Sequence, residues 1–165
     1  MKYSIKWGIF AFLLSLCSLA QAQDSPKGPD LEYVCELCVT CDPAITVGPT
    51  SHGTRVVIPI TGGTFDGPRL RGTVLSGGAD YQLVDRERGR TELEAIYNIR
   101  TDDGTLIHVR NRGLLCTGPE GFYFRTEPHF EAPADSPYDW LNRSIFVCVP
   151  DVRPDCISLK VWRVK

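Results

Sequence analysis

Short runs of β-forming residues, cut at close intervals by glycine-containing turns, constrain the fold of this chain more than any other feature. The longest stretch is Thr61–Asp85, which reads TGGTFDGPRLRGTVLSGGADYQLVD, and Arg100–Leu114 and Phe122–Glu131 continue the pattern. Asp103-Gly104 between two β-rich runs is typical of a tight hairpin, because type I′ turns need positive φ at their central residues. We expect a meander of antiparallel strands.

The predicted strands follow one another at the spacing of roughly 8–12 residues that is typical of all-β folds. Antiparallel strands in a chain of this length must protect their edges, and a closed or nearly closed barrel does so. We therefore predict an all-β fold, a single small antiparallel β-barrel, with one short helical turn at Ser136–Asn142 and a turn-rich link at Asp42–Thr54. The predicted strands are Leu31–Val39, Arg55–Ile60, Arg69–Leu75, Ala79–Asp85, Thr91–Thr101, Thr105–Arg112, Gly121–Phe130, Ser144–Val149 and Cys156–Val164.

The N-terminal segment has the three parts of a secretory signal peptide. Lys2 and Lys6 give a positive start, Trp7–Leu19 is apolar, and Ala20-Gln21-Ala22 is an A-x-A cleavage site. The apolar run is shorter than the roughly 20 residues that a membrane span needs. We expect a secreted or periplasmic protein without a membrane partner after cleavage. Its parts would be a signal peptide at 1–22, a flexible leader at 23–30 and the barrel domain at 31–165.

The charge of the chain restricts the class of partner. The formal net charge is −2, and the basic residues do not cluster along the sequence. A mildly acidic chain of this kind argues against nucleic acid as a partner.

The cysteines predict disulfides. Seven are present, and six remain when Cys17 of the predicted signal peptide is set aside; an even number in an exported chain is typical of disulfide pairing. Cys148 and Cys156 flank the proline-containing turn Val149–Asp155, so we predict that they pair across two strands. The partners of the others stay open; these are Cys35, Cys38, Cys41 and Cys116.

The spacing Cys35-x-x-Cys38-x-x-Cys41 also occurs in zinc and iron–sulfur sites. The surrounding residues, however, alternate as in a strand, where neighbours three apart point to opposite faces. We therefore expect no metal site here.

Three polar residues fall on strand faces that are otherwise apolar. Tyr97 follows Leu93 and Ala95 at a period of two, Asn111 follows Ile107 and Val109, and Thr126 follows Phe124. A buried amide or hydroxyl that lacks a partner costs about 1–3 kcal/mol. Each of the three is therefore either paired within the core or turned toward a ligand cavity, and the sequence leaves both alternatives open.

Other candidates depend on where the barrel opens. Asp80 follows the Gly77-Gly78 turn and could either brace that turn or face a ligand, while Trp140 could either cover the barrel mouth or fill it. The scattered histidines have no serine or cysteine partner in a recognisable nucleophile motif, so a hydrolytic triad is not predicted. Asn142-Arg143-Ser144 is a glycosylation sequon that matters only in a eukaryotic source. The candidate ligand-binding residues are Asp80, Tyr81, Tyr97, Arg110, Asn111, Phe124 and Trp140.

Four stretches carry a resemblance to a known family. They read VGPTSHGTRVVIPITGGTFDGPRLRGTVLSGGADYQLV, IRTDDGTLIHVRNRGL, FYFRTEPHFEAP and YDWLNRSIFV. From about Leu31 to Val164 the chain resembles the family catalogued as domain of unknown function 3237, also called uncharacterised protein family 0311. The signal peptide and the cysteines depart from the cysteine-poor pattern of that family, and Tyr81 stands where it usually has tryptophan.

The resemblance implies a small calycin-like antiparallel barrel, and it leaves open whether two copies pair as a homodimer. It implies no agreed activity, although some fungal relatives resemble isomerases or cyclases that act on aromatic natural products. No cofactor is expected.

Three functions are therefore considered. The first is an exported barrel that binds a small, partly aromatic molecule, with Tyr81, Tyr97, Phe124 and Trp140 as aromatic wall and with Asn111, Arg110 or Asp80 orienting its polar atoms. The second is a cofactor-independent isomerase or cyclase acting on a phenolic substrate, with Tyr97 as general acid or base and Asn111 stabilising an oxyanion. The third is a structural or interaction module whose barrel is filled with side chains.

Overall fold

The computed structural model describes residues 26–119 and 121–165, so the predicted signal peptide lies outside the described residues. No helix in these ranges is long and apolar enough to cross a membrane. One short 3-10 turn, Asp139–Arg143, confirms the predicted helical turn. The described strands are β1 Leu31–Cys41, β2 Ile45–Thr50, β3 Gly53–Asp66, β4 Gly72–Val74, β5 Gly78–Asp85, β6 Arg90–Thr101, β7 Leu106–Gly118, β8 Gly121–Glu131, β9 Phe146–Val152 and β10 Ile157–Val164.

The strands close into one antiparallel barrel, as predicted. Strand β1 pairs with β10 on one side and with β3 on the other, and this double pairing joins the two ends of the sheet. The ring has eight positions, because β4 and β5 share the place between β3 and β6 while β2 pairs with β3 outside the ring. Closure protects the edges of the strands in the ring, whereas β2 lies outside it and pairs with β3.

Several strand bounds differ from the prediction: β3 continues to Asp66 instead of ending at Ile60, and β7 continues to Gly118 instead of Arg112. Ile45–Thr50 was expected to be part of a link, yet it forms β2 and folds back on β3, with Gly48 and Pro49 interrupting its β-forming pattern. Only Gly72–Val74 of the predicted strand Arg69–Leu75 is extended in the sheet. Leu70 leaves the sheet and packs into the core, where it is fully buried.

The hairpin predicted at Asp103-Gly104 joins β6 to β7. Only Gly104 adopts positive φ, at 90°, so the turn is not type I′. Asp103 stabilises it instead, since its carboxylate accepts hydrogen bonds from the Thr101 hydroxyl and the Thr105 N–H at 2.5 and 3.1 Å. These hydrogen bonds lower the pKa of Asp103 to about 2, and the bond from Thr101 has the largest effect.

The seam between β8 and β9 is the weakest pairing of the barrel. Thr126 and Cys148 form its one paired position in the described residues. Pro128 lies two residues after Thr126, and Pro150 lies two residues after Cys148. Proline lacks the N–H that a ladder requires, so the two prolines account for the short pairing.

One end of the barrel is filled by side chains. Leu141 of the 3-10 turn is buried there in the same cluster as Phe65, Phe130 and Phe146. Phe130 and Phe146 meet edge to face, with ring centroids 5.0 Å apart. The 3-10 turn thereby closes this end.

A disulfide ties the opposite end together, with a pairing that differs from the prediction. Cys156 is bonded to Cys38, and their Cα atoms lie 5.5 Å apart. The predicted Cys148–Cys156 bond is wrong because Cys148 is paired with Val161 inside the β9–β10 ladder, well before the turn that holds Cys156. The free cysteines in the described part of the chain are Cys35, Cys41, Cys116 and Cys148.

Candidate ligand cavity

The barrel encloses a cavity of about 290 Å³ on the side away from the 3-10 turn. Its wall is mainly aliphatic, and a few polar side chains enter it from β5, β6, β7 and β8. Cavities of this kind, apolar with a few convergent polar groups, are the usual form of small-molecule sites. The apolar lining includes Ile58, Ile60, Leu93, Leu115, Phe124 and Leu159, and the polar lining includes Asp80, Gln82, Tyr97, Asn111 and Thr126.

A cross-strand row places two of the polar side chains on opposite sides of a small one. Asp80 pairs with Ala95, and Ala95 pairs with Asn111 on the next strand. Directly paired residues project from the same face of a sheet. Two strand spacings separate the Asp80 and Asn111 backbones by roughly 9–10 Å. The methyl group of Ala95 leaves the space between them open.

Tyr97 completes this polar group from β6. It lies two residues beyond Ala95 on the same face and is 3% exposed. Gly78 makes room for it, because a Cβ at Gly78 would come within 2.5 Å of the Tyr97 Cβ. Burial raises the pKa of Tyr97 far above its ordinary value, so the phenol stays protonated at neutral pH.

Asp80 is a carboxyl group with one free oxygen. Its Oδ2 accepts a hydrogen bond of 2.7 Å from Gln82 Nε2, whereas its Oδ1 is shielded from solvent and has no partner in the described residues. Burial raises the pKa of Asp80, while the hydrogen bond from Gln82 and, more weakly, a contact with the Glu94 backbone act in the opposite direction. The cavity therefore holds one carboxyl group that binds a proton more readily than an exposed aspartate does.

Asn111 has an unpaired carbonyl oxygen. The residue is 4% exposed, and its Oδ1 has no hydrogen-bond partner in the described residues. Most buried side-chain polar atoms in proteins are paired, and an unpaired one costs about 1–3 kcal/mol. Of the two alternatives for Asn111, the geometry favours a group turned toward a cavity over a paired core amide.

The structure brings four of the seven predicted site residues together. Asp80, Tyr97, Asn111 and Phe124 all line the cavity. Their shared position follows from the period of two in each strand. Their part in ligand binding stays a prediction.

The other three candidates lie elsewhere. Tyr81 is 43% exposed on the outer face, one residue from Asp80. Arg110 is also outside, where its Nε donates to Glu94 Oε1 at 2.7 Å. Trp140 lies at the closed end, with the Arg69 guanidinium 4.6 Å from its ring centroid. None of the three forms the aromatic wall or the polar rim that the sequence suggested.

Most of the cavity lining was not predicted as part of a site, and Gln82, Leu93 and Cys41 illustrate why. Gln82 lies two residues after Asp80, so the strand period could have indicated that both side chains share a face. Leu93 was assigned to the inner face but not to a site. Cys41 lies at the cavity edge, and burial raises the pKa of its thiol. The sequence does not indicate that Cys41 lies at the cavity, because the position of Cys41 depends on where β1 ends.

Comparison with known proteins finds one family that covers most of the chain. Residues 29–164 match the family described as "Protein of unknown function (DUF3237)". A UPF0311 protein of Clostridium acetobutylicum is 35% identical over 153 residues, which covers 84% of this chain and 96% of that protein. A UPF0311 protein of Rhodopseudomonas palustris is 36% identical over 152 residues, covering 82% and 98%. A hydroalkoxylation enzyme of Penicillium herquei is 26% identical over 159 residues, covering 94% and 99%.

Solved structures share the barrel. A beta-barrel like protein from Acinetobacter baumannii superposes with a TM-score of 0.78 at 32% identity, covering 87% of this chain and 100% of that one. A conserved protein of unknown function from Rhodopseudomonas palustris gives 0.76 at 31% identity, covering 86% and 100%. An enzyme from Penicillium herquei gives 0.69 at 25% identity, covering 86% and 98%.

Proposed function

The chain belongs to the DUF3237 family, and on that premise we propose that its barrel binds a small, largely apolar and partly aromatic molecule. The observation that carries this proposal is a set of three unpartnered oxygens, Asp80 Oδ1, Asn111 Oδ1 and Thr126 Oγ1, on residues that line a cavity of about 290 Å³. A barrel filled only by its own side chains has no need for three such atoms, because apolar residues of similar shape would avoid their desolvation cost.

The wall of the cavity supports the apolar and aromatic character of the ligand. Aliphatic side chains from six strands surround the space, and two aromatic side chains, Tyr97 and Phe124, enter it. Phe122 extends the aromatic surface toward solvent, since its ring meets that of Phe124 edge to face with centroids 6.3 Å apart. Aromatic rings favour offset or edge contacts with one another, so a planar ligand ring fits beside Phe124.

We also propose that the protein acts outside the cytoplasm, in the secreted or periplasmic space. The Cys38–Cys156 disulfide supports this, because disulfides persist in oxidising compartments. The signal-peptide pattern of the N-terminal residues points the same way.

A second candidate function is cofactor-independent acid–base catalysis in the same cavity. The relative from Penicillium herquei is called a hydroalkoxylation enzyme. Hydroalkoxylation adds an O–H group across a carbon–carbon double bond. Asp80 has the properties that such a step needs, because it is a carboxyl of raised pKa with a free oxygen on an apolar cavity.

The step balances without any other reactant. Protonated Asp80 would give its proton to one alkene carbon, the hydroxyl oxygen of the substrate would bond to the other, and the hydroxyl proton would return to the carboxylate. Tyr97 stays protonated and so would donate a hydrogen bond to substrate rather than act as a base. This assigns the proton transfer to Asp80 instead of Tyr97.

The binding proposal is tested by a crystal structure of the protein soaked with pentylphenol. We expect the phenol ring to lie against Phe124 with its hydroxyl within hydrogen-bond distance of Asp80 or Asn111. Pentylphenol bound only outside the barrel, or an unchanged empty cavity at saturating concentration, would contradict the proposal. For catalysis, an ortho-allylphenol should cyclise with the wild-type protein, and Asp80→Asn should abolish turnover while it retains binding.

A further inference from the structure

The polar groups of the cavity differ in charge from those of the outer face. The lining includes one carboxyl group, that of Asp80, and no lysine, arginine or histidine among the described residues. The nearby arginines are outside and engaged; Arg110 and Arg112 both donate to Glu94, at 2.7 and 2.9 Å. A ligand anion would therefore find no counter-charge in the cavity and would lie beside a carboxyl group.

This distribution of charges disfavours the binding of anions for two physical reasons. An unpaired charge among aliphatic side chains loses its hydration without compensation. A second negative group close to Asp80 would raise the energy of both, as like charges do in any shared site. Carboxylates and phosphates are therefore poor candidates, although they are common polar groups of small metabolites.

The unpartnered atoms define what a ligand should offer. Three oxygens of cavity-lining residues lack a partner in the described residues: Asp80 Oδ1, Asn111 Oδ1 and Thr126 Oγ1. The Thr126 hydroxyl can donate as well as accept, whereas the oxygens of Asp80 and Asn111 serve as acceptors and need a donor. Gln82 already donates to the second carboxyl oxygen of Asp80, so that oxygen is not waiting for a partner. A ligand would therefore have to supply a hydrogen-bond donor to Asp80 on one side of Ala95 and another to Asn111 on the other side.

The spacing of the two points limits the ligand further. Asp80 and Asn111 stand two strands apart, so their backbones are separated by roughly 9–10 Å. A hydrogen bond of about 2.8 Å at each end leaves a short span between the two donors. Two hydroxyl groups on one ring or on adjacent rings fit this span, whereas donors at the ends of a long chain do not.

We propose that the cavity selects an uncharged ligand that carries two hydrogen-bond donors on a compact apolar body, one donor for Asp80 and one for Asn111, and that it rejects anions. This inference rests on the proposed binding function. A cation would find a counter-charge only at Asp80, and its charged group would have to be desolvated among aliphatic walls.

The experiment is a calorimetric titration of the full-length mature protein at pH 7 with matched compounds that share one pentyl-benzene body. These are pentylbenzene, meta-pentylphenol, the meta-dihydroxy compound olivetol, the anion meta-pentylbenzoate and the cation meta-pentylbenzylammonium. We expect affinity to rise about tenfold with each hydroxyl, since a hydrogen bond to a buried acceptor is worth about that factor. The benzoate should bind at least about tenfold more weakly than the phenol.

Two substitutions test whether Asp80 and Asn111 each accept a hydrogen bond from one ligand hydroxyl. Asn111→Leu should remove the advantage of olivetol over the phenol, and Asp80→Leu should do the same, whereas both variants should still bind pentylbenzene, which offers no donor to either position. Matched controls come from outward positions of neighbouring strands, Asn98→Leu and Asp85→Leu, which should retain the full olivetol preference. Asn98 is exposed and contacts His108, and Asp85 bonds Arg88.

The outcomes separate this inference from the proposed function. If none of the compounds binds, the binding function itself is wrong. If all bind equally, or if both cavity variants keep the olivetol preference, the function stands and the two-donor inference is overturned. Tighter binding of the benzoate or of the benzylammonium than of olivetol would also overturn it.

Discussion

Tyr97 and Asn111 lie diagonally next to each other on the inner face of two paired strands. Tyr97 is paired with Val109, and Asn111 is paired with Ala95, so each is displaced by two residues from the other along the ladder. Diagonal neighbours of this kind are within reach of an aromatic side chain. The buried amide and the buried phenol therefore belong to one group, and substitutions at the two positions should not act independently.

The amide of Asn111 should be dispensable for folding. Asn111→Leu removes a buried oxygen without a partner and keeps similar volume, so we expect the free energy of unfolding to stay the same or to rise by about 1–3 kcal/mol. Urea unfolding followed by circular dichroism measures the change. A loss of more than about 1 kcal/mol would mean that the amide is paired in the core, and Asn98→Leu provides the exposed comparison on the neighbouring strand.

Asp80 should make the stability of the protein depend on pH in a defined direction. Burial raises its pKa above the ordinary value of 3.8, so the folded state binds the proton more tightly than the unfolded state does. The contribution of Asp80 to the free energy of unfolding is therefore favourable below the ordinary pKa, and it is lost as the pH rises through the folded-state pKa. Asp80→Asn should therefore be more stable than the wild type at neutral pH.

The stability advantage of Asp80→Asn should shrink as the pH falls through the folded-state pKa, because the wild-type carboxyl takes up its proton there. Urea unfolding of both proteins between pH 4 and pH 8 gives this difference directly. An advantage that is constant over the range, or one that grows toward acid, would show that the carboxyl is not the cause.

The disulfide should contribute a large share of the stability. Cys38 and Cys156 are separated by 118 residues, and cross-linking so long a loop contributes about 3–5 kcal/mol in the chain-entropy account. Cys156→Ser should lose that amount in urea unfolding, whereas Cys116→Ser should lose little. Peptide mapping without reduction should recover Cys38 linked to Cys156; a Cys148–Cys156 peptide would contradict the structure.

Trp140 should matter for stability and not for binding. Its ring packs on Phe146 at 5.9 Å and lies near the guanidinium groups of Arg69 and Arg163 at the closed end of the barrel. Trp140→Leu should lower the free energy of unfolding by about 1–3 kcal/mol. The affinity for pentylphenol should stay within about twofold, and a tenfold loss would place Trp140 at the ligand after all.

The barrel and the inner faces of β6 and β7 were predictable because they depend on local pattern. A period of two assigns Leu93, Ala95 and Tyr97 to one face, and the turn at Asp102–Gly104 fixes that β6 and β7 pair. With the pairing known, Asn111 must share that face. The inner position of Phe124 follows from the same reasoning on β8.

The remaining features depend on contacts between distant parts of the chain. A register shift between Tyr33 and Cys35 places Val34 in the core and leaves Tyr33 partly exposed, although a regular period would have placed Tyr33 inside with Cys35. The partner of Cys156 is set by the β1–β10 register, which no local signal reports. Trp140 could have filled either end of the barrel, and only the path of the chain from β8 to β9 decides between them.

Filling the cavity from its floor shows directly whether a ligand binds inside the barrel. Ala95→Phe places a ring in the space between Asp80 and Asn111, and Ala95→Leu fills it partly; Ile96→Phe, on the outward side of the same strand, serves as the control. Calorimetric titration with pentylphenol should show wild-type affinity for the control and a loss of about 100-fold or more for Ala95→Phe, with an intermediate loss for Ala95→Leu. Wild-type affinity in a folded Ala95→Phe protein would contradict binding in the barrel, because the ligand would then lie somewhere other than the cavity.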